Sequence, residues 1–542
     1  MAQNLADLFE HAVDAVPDRV AVIDNGRHHT FADVEGRANR LAHLLAESGV
    51  GEGDHVAVHM HNDVDALVAF LASYKLRAAA VNVNHRYRVE EARHVYSDAA
   101  VRAVVTQPDH ADVAHAAATA IGATVVVSGT ELDTALEAQS SERDFGERRD
   151  DDRFLMYTGG TTGAPKGVIW NHSDIWRVLG GGIDFYSGEL LADEWQQSRS
   201  AAESAAAGAT QGMRFLMLPP LIHVSGLLPS LGALFSGNTV MYEPRFDASS
   251  VWDVVARQEA NILVITGDAM ALPLIEELRS RAAAGTAVSV PSLLAISSGA
   301  ALFSPALKAQ MLELLPTAAI SDSIGSSETG FGGITVYSSA DTSFARSAYS
   351  GGPRVPAGRG ATVIDDDGVL VDAPGEGWFA KTGFLPVGYL NDPVKTATIF
   401  REHDGVRMVV SGDRARLESD GSITLLGRGS QVVNTGGEKV FVEEVEGHLK
   451  AHPGIVDATV VGVRDERFGH RVAAVVSVVG PAVDFADVEA HLRDRLAGYK
   501  IPCAYWVVDQ VQRTPSGKPD YRWATEISRG GAPTHDRLHP AT

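Results

Sequence analysis

Tyr157-Thr158-Gly159-Gly160-Thr161-Thr162-Gly163-Ala164-Pro165-Lys166-Gly167 packs glycines, hydroxyls, one proline and one lysine into a segment without apolar period. Before it, Phe154-Leu155-Met156-Tyr157 reads as a short buried strand; after it, Val168-Ile169-Trp170 begins another. A polar, glycine-rich loop between two apolar strands offers backbone N–H groups and hydroxyls to a polyphosphate. It is not a Walker-type loop, which has Gly directly before Lys and Ser or Thr directly after; here Pro165 and Gly167 flank the lysine.

Outward from this loop, helical periodicity alternates with Val/Ile-rich runs. Leu41 to Glu47 and Val64 to Leu76 read as helix. His55 to Met60, Ala78 to Val83, Val101 to Thr106, Phe215 to Leu218, Thr239 to Tyr242, Ile262 to Thr266 and Leu293 to Ser297 read as strands. Such alternation predicts an α/β architecture of parallel or mixed sheets flanked by helices. His55, His59 and His61 fall on one side of a strand with Asp54 and Asp63 at its ends; the spacing fits no metal motif, and a structural role is expected.

Composition changes near Gly427-Arg428-Gly429-Ser430. Beyond it, strands (431–434, 458–463, 472–479, 505–508) and helices (442–451, 485–496) make an α+β unit of ordinary domain size. The expected division is a large domain over 1–427, a hinge at 428–430, a small mobile domain over 431–527 and a disordered tail over 528–542. The small-residue stretch from Ser198 to Gly212 predicts a helix-and-loop excursion over a cavity.

A chain of 542 residues exceeds one core, so at least two domains are expected. The formal charge of −23 argues against nucleic acid or an anionic membrane surface as principal partner. The amino terminus reads as an amphipathic helix rather than a leader, and no window reaches the ~18 apolar residues of a membrane span. A soluble cytoplasmic protein is the expectation, with peripheral membrane contact left open. One cysteine, Cys503, rules out an internal disulfide framework, and its apolar surroundings give it a core role.

Five more polar clusters share the character of the first loop: Ser297-Ser298-Gly299-Ala300-Ala301, the run from Ser321 to Gly330, Ser411-Gly412-Asp413, Gly436-Gly437-Glu438-Lys439, and Thr514-Pro515-Ser516-Gly517-Lys518. Each alone is weak; their order and spacing together are specific. On these residues the chain resembles the adenylate-forming superfamily of acyl-CoA synthetases, luciferases and peptide-synthetase adenylation domains, from about Asn4 to about Trp523. It is most similar to actinobacterial long-chain fatty-acid and steroid side-chain (3-oxocholest-4-en-26-oate) CoA ligases. That closer likeness is carried by Val81-Asn82-Val83-Asn84 with Arg86-Tyr87, by Thr266-Gly267-Asp268-Ala269-Met270, by Asp322 to Glu328, and by Gly517 to Trp523.

The resemblance implies ATP, Mg²⁺ and coenzyme A as partners of a small-molecule carboxylic acid. It gives Thr158, Gly159, Gly160, Thr161, Thr162, Gly163 and Lys166 to the β- and γ-phosphates, Glu328 to Mg²⁺, and Asp413 with Arg428 to the ribose. Asp322 and the Ser298-Gly299-Ala300 backbone would border the adenine, and Ser323, Gly325 and Ser327 would also belong to the nucleotide site. Lys518 would bridge the carboxylate and the α-phosphate, acting with Glu328 and Thr162 in catalysis, while Gly436, Gly437 and Glu438 would approach the pantetheine. His223 would gate the acyl site, with Gly226, Gly299 and Ser326 leaving it room. Two positions depart from the pattern: Ser411 stands where Thr is usual, and Ser430 where the hinge often carries Asp or Lys. The acid remains open between a sterol side chain and a fatty chain. So do two other readings, a free-standing acyl-AMP ligase that loads a carrier protein and a non-catalytic nucleotide-binding protein. Oligomeric state is not legible.

Overall fold

The computed structural model describes residues 4–158, 165–178, 191, 193, 195–243, 245–301, 303–340, 353–357, 360–428, 432–435, 438–465, 469–480, 483–496, 498–514 and 517–537. The opening stretch folds as an antiparallel hairpin, Arg153–Thr158 against Lys166–Asn171, in register from Arg153 opposite Asn171 to Thr158 opposite Lys166. It lies at one side of a seven-stranded sheet, with Gly388–Tyr389 outside it. Inward from Arg153–Thr158 the order is Ala79–Asn82, His55–His59, Ala103–Thr106 and Thr124–Val127, all mutually parallel. An eight-stranded sheet repeats the logic, with parallel strands Ala319–Ser326, Ala295–Ser298, Ile262–Ile265, Arg214–Met217, Thr239–Tyr242 and Val20–Asp24 between antiparallel edges Gly330–Tyr337 and Arg27–Thr30. The α/β expectation holds.

The helix Val64–Lys75 touches strands of both sheets, and every residue in it except Asp65 is buried. An apolar run with no polar face suits that sandwiched place. Asp63 caps its start by accepting the Ala66 N–H at 2.7 Å. Lys75 closes it, 1% exposed, with its ammonium held by Glu35 at 2.8 Å and by Glu10 of the amino-terminal helix Leu5–Ala15. Two carboxylates offset the desolvation of one buried ammonium, so this contact fixes the first helix to the core.

Antiparallel strands between Arg354 and Arg428 form a third sheet, in which Asp413 stands opposite Arg428. A fourth sheet of six strands lies between Val432 and Asp536, with helices Val442–Lys450, Phe485–Arg493 and Tyr521–Gly530. It has its own core around Val440, Val445, Leu449, Val460, Val476 and Leu492. Cys503 is buried beside it, its backbone N–H bonded to the Val472 carbonyl at 2.7 Å, and burial pushes its thiol up. The expected tail needs correction at its start. Residues 528–530 end the last helix, and His535–Asp536 pairs antiparallel with Ala504–Val507, because its backbone groups find partners on that sheet edge. Residues 538–542 lie outside the described residues.

His55 and His59 share the strand His55–His59, and His59 sits in a group of imidazoles with His61, His85 and His110, ring centroids 4.0–5.8 Å apart. His59 is fully buried, Nδ1 against the Tyr96 hydroxyl at 2.8 Å, and burial brings its pKa to about 4. The folded chain therefore holds His59 neutral where the unfolded chain takes up a proton, so stability falls as pH drops from about 6.5 towards about 4. At pH 5 this one group costs about 2 kcal/mol relative to pH 7. His59→Asn is expected to flatten the fall of the urea midpoint between pH 7 and 5; an unchanged slope would show that another group carries the acid sensitivity.

Candidate active site

The parallel strands of both large sheets end at the same side, where loops must find partners for orphaned backbone groups. Asn82, at the end of its strand, accepts the Tyr157 N–H at 2.6 Å and donates to the carbonyls of Tyr157 at 2.9 Å and Ile222 at 2.6 Å. Asn62 accepts from Leu221 N–H at 2.7 Å and donates to the Pro219 carbonyl at 3.0 Å. Both buried amides bind the segment 219–223 that leaves one sheet to a strand end of the other, and Asn82 binds the hairpin at Tyr157 as well.

Thr158 and Lys166 are the paired ends of that hairpin; Gly159, Gly160, Thr161, Thr162 and Gly163 lie outside the described residues. The Lys166 ammonium forms an ion pair with Asp392, which also caps the helix Pro393–Ile399 through the Lys395 N–H at 2.8 Å. The hydrogen bond from Lys166 leads in holding the Asp392 carboxyl below its ordinary range. Trp170 Nε1 donates to the Ser327 carbonyl at 2.8 Å and so brings the turn 327–329 to the hairpin. Glu328 in that turn accepts the Tyr389 hydroxyl at 2.8 Å, and Tyr389 pairs with Val168 on the hairpin's second strand. The phosphate-type hairpin, Glu328, Tyr389 and Asp392 thus form one group.

Ser298 and Asp322 are neighbours across parallel strands. Ser323 Oγ donates to the Ser298 carbonyl at 3.0 Å, and a Cβ on Gly299 would lie 2.7 Å from that same Oγ. Ala300 follows at φ 66°. Asp322 is 1% exposed and ion-paired to the equally buried Lys308, whose ammonium lies 4.5 Å from the Tyr337 ring centroid. Burial raises the Asp322 carboxyl and Lys308 opposes that rise. Ser326 closes the turn, its Oγ accepting the N–H groups of Glu328 at 3.2 Å and Thr329 at 3.1 Å. Gly325 stands at the bulge opposite Phe331.

Gly226 is corrected. It does not open the acyl site: a Cβ there would fall 2.3 Å from the Pro220 carbonyl oxygen and 2.6 Å from that of Pro219. It lets the helix Val224–Phe235 close on the 219–220 backbone. Ser326 and Gly299 are likewise engaged by their turn and by Ser323. His223 caps the same helix backbone in extended conformation, and burial first, then the charge of Lys518, lowers its pKa to about 4. Its imidazole is neutral at pH 7.

In the third sheet Asp413 accepts the Ser411 hydroxyl at 2.6 Å; Arg428 is its strand partner. Gly436 and Gly437 lie outside the described residues, and Glu438 opens a strand opposite Thr435. The loop with Lys518 reaches the large domain: a Cβ on Gly517 would lie 3.2 Å from Thr266 Cγ2 and 3.4 Å from the Ala269 Cβ. Lys518 and His223 therefore feel one another across the domain boundary. Tyr389, Asp392, Lys308 and Asn62 escape a sequence reading, and Asn82 enters it only as part of a likeness, without its role. Their work is to hold another side chain or a strand end, and no local spacing encodes that.

Comparison with known proteins agrees with this geometry. Residues 9–390 match the family described as AMP-binding enzyme, and 444–518 match AMP-binding enzyme C-terminal domain. A 3-oxocholest-4-en-26-oate–CoA ligase of Rhodococcus rhodochrous is 45% identical, covering 97% of this chain and 96% of the relative. A medium/long-chain-fatty-acid–CoA/3-oxocholest-4-en-26-oate–CoA ligase of Mycobacterium tuberculosis is 46% identical with the same coverage. Among solved structures, ATP-bound MatB from Rhodopseudomonas palustris superposes with TM-score 0.78 at 26% identity, over 96% of this chain and 98% of that one. The chain belongs to the AMP-binding enzyme family and, within it, to the AMP-forming acyl-CoA ligases.

Tyr389→Phe removes the hydroxyl that holds Glu328 and nothing else. A hydrogen bond to a charged group is worth about 1.5–3 kcal/mol, so loss of that orientation should lower kcat/KM for acyl-adenylate formation about 10- to 100-fold. A variant within twofold of wild type would show that Glu328 is oriented by other contacts.

Proposed function

We propose that the chain activates a large lipid carboxylate, of the 3-oxocholest-4-en-26-oate or medium/long-chain fatty-acid type, as its CoA thioester. The supporting observation is the 45–46% identity, along nearly the whole length, to ligases named for those acids. A carboxylate is a poor acyl donor because its oxygen leaves badly. Its attack on the α-phosphorus of ATP breaks the bond to pyrophosphate and makes an acyl-adenylate; the CoA thiolate then attacks the carbonyl and AMP leaves. No protein nucleophile is needed, so the residues position groups and neutralise charge.

Thr158, the loop from Gly159 to Gly163 and Lys166 hold the β- and γ-phosphates, Lys166 exchanging Asp392 for phosphate oxygens. Asp413 and Arg428 take the ribose hydroxyls. Asp322 and the Ser298-Gly299-Ala300 backbone border the adenine, with Ser323, Gly325 and Ser327 in the same nucleotide site. Lys518 bridges the acid and the α-phosphate, beside a neutral His223 that adds no competing charge. Gly436, Gly437 and Glu438 approach the pantetheine of CoA once the small domain moves about residues 428–430.

Glu328 supplies a hard oxygen suited to Mg²⁺. Among the described residues no group of three or more His, Cys, Asp or Glu is placed to hold a metal ion. One carboxylate with the remaining positions left to phosphate and water is the usual manner of Mg²⁺ binding. Bound there, the ion would shield the phosphate oxygens. Among the described residues no helix is long and apolar enough to cross a membrane, so a greasy acid must be taken up from solution or from a surface.

Pyrophosphate release measured with palmitate and with 3-oxocholest-4-en-26-oate separates the two acid classes. The steroid is expected to give the higher kcat/KM; equal rates or a fatty-acid bias would overturn that preference. Lys518→Ala is expected to slow acyl-adenylate formation by about 10²- to 10³-fold, the usual cost of removing one preorganised electrostatic group. Intact adenylation in that variant would remove Lys518 from the chemical step.

A further inference from the structure

Lys450 ends the helix Val442–Lys450 of the small domain, and its ammonium meets Asp268 of the large domain at 2.8 Å. The two side chains are only 5% and 4% exposed. The second Asp268 oxygen accepts the Ser304 N–H at 2.7 Å, so the carboxylate is held from both sides. Around Lys450 the small domain offers little to balance its charge. Arg513 already binds Asp457 at 2.7 Å, a pair neutral in itself. Glu446 is fully buried, accepts the Val460 N–H at 2.8 Å, and burial pushes its carboxyl up to about 7. Asp268 is thus the principal counter-charge of Lys450, and it comes from across the domain boundary.

Asp268 is the second residue of the helix Gly267–Ala283. Thr266, two residues before it, and Ala269, the residue after it, are the ones that Gly517 packs against. The Arg513 guanidinium in turn donates to the Gly517 carbonyl at 3.3 Å. One short turn of the large domain therefore receives both the ion pair and the loop that carries Lys518.

We propose that the Lys450–Asp268 ion pair positions Lys518 for acyl-adenylate formation, by fixing the small domain against residues 266–269. The inference rests on the ligase reading given above. Lys450 is a positioning residue; it acts through Lys518 and does not touch substrate. Without it, the Asp268 carboxylate is buried and unpaired in this arrangement and is rehydrated only when the small domain moves away. The arrangement that covers the site with Lys518 then loses population. Attack of CoA on a preformed acyl-adenylate needs access to the carbonyl that this loop covers, so it does not share the dependence.

The test measures the two half-reactions separately. Acid-dependent ATP–pyrophosphate exchange reports the first; conversion of supplied acyl-AMP and CoA to thioester reports the second. Lys450→Met is expected to slow exchange about 10- to 100-fold, as for one partner removed from a buried charge pair. Thioester formation should stay within about threefold. Lys450→Met with Asp268→Asn, which leaves no buried charge unpaired, should regain at least part of the exchange rate lost in Lys450→Met alone. Unchanged exchange in Lys450→Met, equal loss of both half-reactions, or a double variant as slow as the product of the two singles would each overturn the positioning role. A wild-type enzyme that forms no acyl-AMP from any acid overturns the ligase reading itself, which the wild-type control reveals before any variant is compared.

Discussion

The parallel strands of two mixed sheets meet where Asn62 and Asn82 bond to the segment 219–223, and the backbone groups there must be satisfied. Asn62 and Asn82 meet that constraint. Each uses its amide as both donor and acceptor, and each joins a strand end of the seven-stranded sheet to the 219–223 segment that leaves the eight-stranded one. Asn82 also binds Tyr157, the residue that leads into the glycine-rich loop. A hydroxyl or a carboxylate could not replace it, since neither offers two N–H donors together with an acceptor. The hairpin, the His223 segment and, through Trp170, the turn with Glu328 are all referred to this junction. The junction of the two sheets is thus fixed by buried amides bonded to backbone.

Charge is handled by a second rule, in which burial decides the role. The chain carries a net −23, yet the reaction proposed for it gathers a triphosphate and a carboxylate. Three lysines at the site are each matched to one aspartate. The Lys166 side chain is 44% exposed, so its pair with Asp392 is weakened by solvent screening. Lys308–Asp322 and Lys450–Asp268 are nearly sealed from water, where removing one partner costs about 3–5 kcal/mol. The exposed pair is the one that solvent can reach. The buried ones set geometry, one in the wall beside Ser298 and the other between the domains.

The sequence makes the α/β alternation legible because each strand and helix is short and strongly patterned, and the strands around Ala79–Asn82 and Ile262–Ile265 are buried on both faces. It makes Thr158, Lys166, Glu328, Asp413 and Lys518 stand out as candidates because unusual residue types recur there in a fixed order. It does not reveal Lys308 or Lys450. Each reads as an ordinary helix-surface cation, and only the packing of the helices Pro305–Leu314 and Val442–Lys450 against other elements buries it. Residues 531–537 are lost for a related reason. Gly, Pro and His spell no strand, and the pairing of His535–Asp536 comes wholly from the edge it meets.

Gly226 shows why the acyl site is the hardest part to read. Glycine in a sequence signals either space or its absence, since a missing side chain can open a cavity or admit a neighbouring backbone. Here the Pro219 and Pro220 carbonyls occupy the place of a Cβ. That close approach seats the start of the helix Val224–Phe235 on the segment clamped by Asn62 and Asn82, and with it His223. The segment that carries His223 is thereby tied to rigid backbone. Selectivity for the acid must come from elsewhere along its length, from side chains that contact the tail and leave the reacting end alone. A family sharing one adenylating centre can then accept acids of very different shape, and the centre's motifs carry no record of which.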